Sequence, residues 1–191
     1  MSIKIQQCTS KIIPGLLTPD ECERIKSYIR TLETKPAQVT NAQSSKNITK
    51  KQYRKSDVSW LEPHPEINWA AHRIEEAMRT VNAEMYQFNL QALEQIQYLK
   101  YKRFGFFKPH FDTGSPSTAH RKLTLSVQLN AASDYTGGTL TVRDTGGTTQ
   151  ASKKQGDAII FPTYLLHHAH TIYTGKRECL VAWMGSERPF A

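Results

Sequence analysis

The chain has 191 residues, 38% of them hydrophobic, which is enough to bury a core without disulfides. No apolar run approaches the roughly 20 residues needed to cross a bilayer, the N-terminus lacks a signal-like apolar region, and Cys8, Cys22 and Cys179 are too scattered for a disulfide framework. The expectation is one cytoplasmic domain with no membrane contact. The formal net charge of +8, partly clustered between Lys35 and Lys55, reads first as a solvated basic face. Without a finger spacing, an RNP-like motif or a helix-turn-helix, nucleic acid is not the expected partner.

In chain order, Thr18-Pro-Asp-Glu21 carries the signals of a helix start: a threonine N-cap, proline at the first helical position and a glutamate three residues on. Ile25, Tyr28, Ile29 and Leu32 follow at helical spacing. Residues 35–55 are polar and read as a long loop that closes over a site. Residues 53–61 read as a short strand. Glu66 to Asn82 reads as a second amphipathic helix on Trp69, Ala70, Ile74, Ala77, Met78 and Val81.

From about Phe88 the pattern turns to strands. Glu94–Lys102 comes first, then Lys122–Asn130, where Leu123, Leu125, Val127 and Leu129 alternate with polar residues. Thr139–Arg143, Thr148–Ser152 and Ala158–Phe161 follow, separated by glycine turns. The last pair is read as a hairpin, His168–Ile172 and Glu178–Trp183, turning at Tyr173-Thr-Gly175. Many short strands after two helices predict an α+β chain. Its core is a sandwich or jelly roll, a cupin-like double-stranded β-helix, with the N-terminal helices packed outside. The helical part spans about 12–85 and the core about 88–185, within a single domain over 1–191.

The chemistry gathers at Lys108-Pro-His-Phe-Asp112. Two histidines and one carboxylate suit ferrous iron that must keep positions open for other ligands. A His-x-Asp pair fits a strand end, because residues i and i+2 project to one side. His110 and Asp112 are therefore candidate ligands, and the third can come from a strand that a barrel brings alongside. His167, His168 and His170 compete for that place, His168 and His170 sharing one face of an extended segment and His167 taking the other. Zinc is a physical alternative for such a set. His64, His72 and His120 read as ordinary polar residues. Arg177 is a candidate anchor for an acidic cosubstrate, since a guanidinium meets a carboxylate in a two-pronged fork. Tyr101 and Thr124 can add hydroxyl donors from adjacent strands. A surface strand charge is the plainer alternative for Arg177.

These residues resemble the prolyl 4-hydroxylase-like branch of the iron(II)- and 2-oxoglutarate-dependent dioxygenases. The resemblance runs from about Ile12 to Trp183. It rests on Pro14–Cys22, Arg54–Leu61, Leu99–Asp112, Leu123–Asn130, Asp134–Leu140, Gly156–Thr163, His167, Gly175-Lys-Arg177 and Trp183. It implies Fe(II) on His110, Asp112 and His167, the spacing to Arg177 selecting His167. It also implies 2-oxoglutarate held by Arg177 with Tyr101 and Thr124 nearby, and L-ascorbate as the reductant that restores oxidised iron. The implied reaction hydroxylates a C–H bond, with a peptidyl proline as first substrate and release of succinate and CO2. The alternatives are a free amino acid or other small molecule, or a non-catalytic cupin-like binding module. The chain departs from the family at Phe107, where a pocket tyrosine is common, at Thr139 after the Gly-Gly turn, and at Ala169–Ile172 after the distal ligand.

Overall fold

The computed structural model describes residues 8–37, 39–40, 47–48 and 52–190. Strand β1 (Lys11–Ile13) leads into helix α1 (Pro19–Ile29). The capping box forms as its sequence predicts: Thr18 Oγ1 accepts the Glu21 amide at 3.2 Å, and the Glu21 carboxylate accepts the Thr18 amide at 2.9 Å. Arg73 of the next helix pairs with the same carboxylate at 2.6 Å and holds its pKa below the usual value.

The basic segment contains the short strands β2 (Lys35–Pro36), β3 (Val39–Thr40), β4 (Asn47–Ile48) and β5 (Arg54–Lys55). Most of the loop expected to close over the site lies outside the described residues. The single strand expected over 53–61 is two strands in two sheets. Strand β5 ends at Lys55 and β6 (Asp57–Leu61) starts after Ser56, whose side chain accepts Arg54 Nε at 2.9 Å and whose carbonyl accepts the Ala37 amide. Helix α2 (Pro65–Val81) is N-capped by His64, whose Nδ1 accepts the Glu66 amide at 3.2 Å.

Ten further strands follow: β7 (Ile96–Tyr101), β8 (Phe106–His110), β9 (Arg121–Gln128), β10 (Tyr135–Gly137), β11 (Leu140–Asp144), β12 (Gly147–Gln150), β13 (Ala158–Pro162), β14 (His167–Ala169), β15 (Ile172–Gly175) and β16 (Arg177–Gly185). One sheet runs β1-β13-β9-β16-β7-β6-β2 and another β12-β11-β14-β8-β5, all antiparallel, with β10 and β15 as a separate pair. Together they make a jelly roll with both helices outside it. The expected hairpin of the last two strands does not form. Strand β14 lies in the five-stranded sheet between β11 and β8, β16 lies in the seven-stranded sheet between β7 and β9, and the presumed turn at 173–175 is β15, paired to β10. The chain crosses from one sheet to the other there, which separates His167 and Arg177 onto opposite walls.

Alternation along the strands of the larger sheet sorts their side chains. Leu123, Leu125, Val127, Ile160, Leu180 and Ala182 face Ile25, Ile74 and Met78 of the helices in one apolar core. Their sequence neighbours point between the sheets. Gly156 shows how tightly the edge is drawn: at φ +84°, a Cβ there would lie 1.8 Å from the Leu17 carbonyl oxygen, so the turn before β13 accepts no side chain.

Candidate active site

The two sheets enclose a cavity of about 1300 Å³. Strand β14 pairs with β8 so that His167 stands directly opposite His110, and Asp112 follows just beyond the end of β8. Its amide donates to the Thr163 carbonyl at 3.0 Å, which ties that turn to the end of β13. The ligand atoms of His110, Asp112 and His167 lie within 4.8 Å of one another. His110 Nε2 is 3.5 Å from Asp112 Oδ1, and His167 Nε2 is 3.4 Å from Asp112 Oδ2.

The surroundings fix this arrangement. His110 Nδ1 lies 2.8 Å from the Lys108 carbonyl and His167 Nδ1 lies 3.0 Å from the Leu165 carbonyl, so each Nδ1–H donates to backbone and each Nε2 points at the carboxylate. Asp112 Oδ2 accepts from Thr124 Oγ1 at 2.8 Å and from Trp183 Nε1 at 3.0 Å. The Phe107 ring lies flat on the His110 imidazole, centroids 3.5 Å apart and planes 19° apart. Burial alone would raise the Asp112 pKa, but His167 and His110 hold the carboxyl well below its usual range. Burial and the neighbouring His167 push His110 down, whereas the charge of Asp112 outweighs burial and pushes His167 up. Three such side chains around one point suit a divalent metal with open positions.

Arg177 sits deeper between the sheets and is 2% exposed. Its Nε donates to Gln128 Oε1 at 2.9 Å. Among the described residues, three buried side-chain polar atoms have no hydrogen-bond partner: Arg177 Nη2, Tyr135 Oη and Ser126 Oγ. All three residues belong to this one region. A buried guanidinium with an unmade bond costs several kcal/mol unless an anion meets it. Burial pushes the Tyr135 hydroxyl up and Arg177 draws it part of the way back. Tyr101, opposite Arg177 in the β7–β16 register, places its ring 5.5 Å from the guanidinium carbon.

The cavity thus brings His110, Asp112, His167, Tyr101, Thr124 and Arg177 together. Thr124 stands apart from its expected role, because its hydroxyl donates to Asp112. Sequence reasoning missed Tyr135, Ser126, Gln128 and Trp183. Ser126 and Gln128 were legible as the polar half of the β9 alternation, while Tyr135 comes up beside Arg177 from the short β10–β15 pair, which no periodicity announces. His168 and His170 lie outside the triad with rings 4.0 Å apart, and His120 pairs with Glu94 at 3.0 Å.

Residues 96–185 match the profile of the 2OG-Fe(II) oxygenase superfamily, a stretch that contains the whole triad and Arg177. A PKHD-type hydroxylase of Pseudomonas putida strain KT2440 is 26% identical over 184 residues, 91% of this chain and 77% of that one. Four other PKHD-type hydroxylases match over shorter stretches, and the matched parts are 25% to 44% of their own lengths. Among solved structures, a prolyl-4-hydroxylase of Pseudomonas putida superposes with a TM-score of 0.76 at 15% identity, covering 95% of each chain. A prolyl hydroxylase from Trichoplax adhaerens, in complex with a hypoxia inducible factor peptide fragment, superposes with a TM-score of 0.78 at 14% identity, covering 93% of this chain and 84% of that one. The family implies Fe(II) and 2-oxoglutarate. In sequence this chain is similar to the 2OG-Fe(II) oxygenases over residues 96–185 and to PKHD-type hydroxylases, and its fold is that of the prolyl hydroxylases it superposes on.

Proposed function

We propose that the chain hydroxylates an unactivated C–H bond, with a peptidyl proline as the first substrate to test, and releases succinate and CO2. Ferrous iron would be held by His110, Asp112 and His167, and the far carboxylate of 2-oxoglutarate by Arg177. The observation that carries this reading is that Arg177 Nη2 and Ser126 Oγ, buried and without partners, line the same cavity as the triad, with Tyr135 Oη unpartnered beside Arg177. An iron-binding relic has no use for a buried cation that lacks an anion.

When bound, the metal and cosubstrate supply the oxidation, one oxygen atom of O2 going to succinate and the other to the substrate carbon. The protein's own residues orient and exclude. The two backbone carbonyls at Nδ1 keep both imidazoles in the tautomer that leaves Nε2 free. Thr124 and Trp183 engage Oδ2 of Asp112, so Oδ1 is the less engaged oxygen. Arg177 would meet the far carboxylate with one free nitrogen, while Tyr135 and Ser126 would add hydroxyl donors and Tyr101 the wall. Val181, Trp183 and Phe161 line the cavity and keep water from the reacting atoms. The peptide reading draws on the peptide-bound neighbour and on the size of the cavity, which exceeds what a free amino acid fills.

The test is an anaerobic titration of ferrous iron and then 2-oxoglutarate, followed by the visible charge-transfer absorption of the ternary complex. The band should be absent in His167→Ala and should need far more 2-oxoglutarate in Arg177→Ala. A folded, metal-loaded wild type that gives no band overturns the cosubstrate assignment.

A further inference from the structure

Beyond the triad, the cavity wall is charged in one sense. Among the described residues, its carboxylates are Glu33 and Asp112. Glu33 is paired with Lys35 at 3.1 Å, and Asp112 belongs to the triad. Arg54 and Lys108 line the same cavity and have no carboxylate partner among the described residues. Each instead lies over an aromatic ring. The Arg54 guanidinium carbon is 4.7 Å from the centre of Phe107, and Lys108 Nζ is 5.1 Å from the centre of Tyr53.

The two cations differ in setting. Arg54 is 8% exposed and fixed by bonds to Ser56 Oγ and, at 3.2 Å, to Gln97 Oε1. It is also close to the chemistry, because the Phe107 ring on which it lies is the ring stacked on His110. Lys108 is exposed at the rim. A cation over an aromatic face still presents its other side to an anion. A buried guanidinium attracts that anion more strongly than a fully hydrated one would. The chain's net charge of +8 adds long-range attraction of the same sign.

We infer that the substrate carries an aspartate or glutamate beside the residue that is hydroxylated, and that Arg54 and Lys108 receive its carboxylate. This rests on the hydroxylase reading of the cavity and adds the charge of the substrate to it. Phe107 then has two roles, as the plate under His110 and as the surface that positions Arg54.

The experiment uses the full chain with ferrous iron and 2-oxoglutarate under nitrogen, and three dye-labelled heptapeptides that differ only in the residues flanking a central proline: aspartate, alanine or lysine. Fluorescence anisotropy should show the aspartate peptide binding about tenfold tighter than the lysine peptide, a preference that shrinks with added salt. Lys108→Glu should abolish or invert the preference with an unchanged melting temperature, since the side chain is exposed. Arg54→Gln, made separately, should also reduce the preference. Equal affinities in the wild type, no saturable binding of any peptide, or an aspartate preference that survives both substitutions would overturn the inference. Admitting air and weighing the peptides tests the parent reading separately: acidic preference without a gain of one oxygen atom leaves the recognition surface standing and removes proline as the target.

Discussion

The two faces of the larger sheet are built from the same strands and do opposite things. On β9, Leu123, Leu125 and Val127 are fully buried against the helices, and their strand is paired on both edges, to β13 and β16. One residue along, Thr124, Ser126 and Gln128 are nearly as buried, but they face the triad and Arg177, and Ser126 Oγ and Arg177 Nη2 lack partners. The outer face is complete as it stands. The inner face holds uncompensated polar atoms whose cost is recovered when a ligand arrives, and the outer face supplies the stability that tolerates this.

That contrast can be broken from either side. Leu125→Ala should lower stability by about 3 kcal/mol, read as a shift in the urea midpoint, because it opens a cavity in a core with no room to collapse. The folded fraction should still bind 2-oxoglutarate as the wild type does. Arg177→Leu should do the reverse. The half-saturating 2-oxoglutarate should rise roughly hundredfold, while the melting temperature holds or rises, since a buried cation with an unmade bond is replaced by an apolar chain. Loss of fold in Arg177→Leu, or loss of cosubstrate binding in folded Leu125→Ala, would mean that the faces are not separable.

A smaller effect sharpens the picture at the boundary. Thr124→Val removes the hydroxyl that holds Asp112 Oδ2 and leaves Trp183 as the other donor. Metal affinity should fall about tenfold by calorimetry, with little change in 2-oxoglutarate affinity once the metal is saturating. A selective loss of 2-oxoglutarate affinity would instead return Thr124 to the cosubstrate role read from the sequence.

The sequence carried the parts of this molecule whose signals are local. The capping box at Thr18 and Glu21, the alternation of β9 and the spacing of His110 and Asp112 each depend on residues a few positions apart. What failed was pairing at a distance. The segment 168–183 has the glycine and the apolar runs of a hairpin, yet each half finds its partners in a different sheet, because β14 is drawn to β8 and β16 to β7 and β9. Likewise, Ser56 splits one expected strand into β5 and β6, a break that sends Arg54 into the cavity wall. Tyr135 was missed for the same reason: its place beside Arg177 follows from the crossing of β15 and not from its neighbours in sequence.

The smallest predicted effect tests the outer face electrostatically. Glu178, next to Arg177 on β16, faces away from the cavity and is 7% exposed. Burial would raise its pKa, but the Tyr98 hydroxyl, Lys176 and Asn130 all favour the charged form, and the carboxyl ends below its ordinary value of 4.5. A carboxyl whose folded pKa is lowered contributes stability above its unfolded pKa and loses it as the pH falls through the folded one. Glu178→Gln should therefore cost about 1 kcal/mol near neutrality. The two stability curves should converge as the pH drops below about 4.5. Because Tyr98 packs in the helix-side core and Glu178 does not line the cavity, half-saturation by 2-oxoglutarate at pH 7 should not move. If it does, the network steers Arg177 through the backbone of β16, and the division between the two faces ends at that strand.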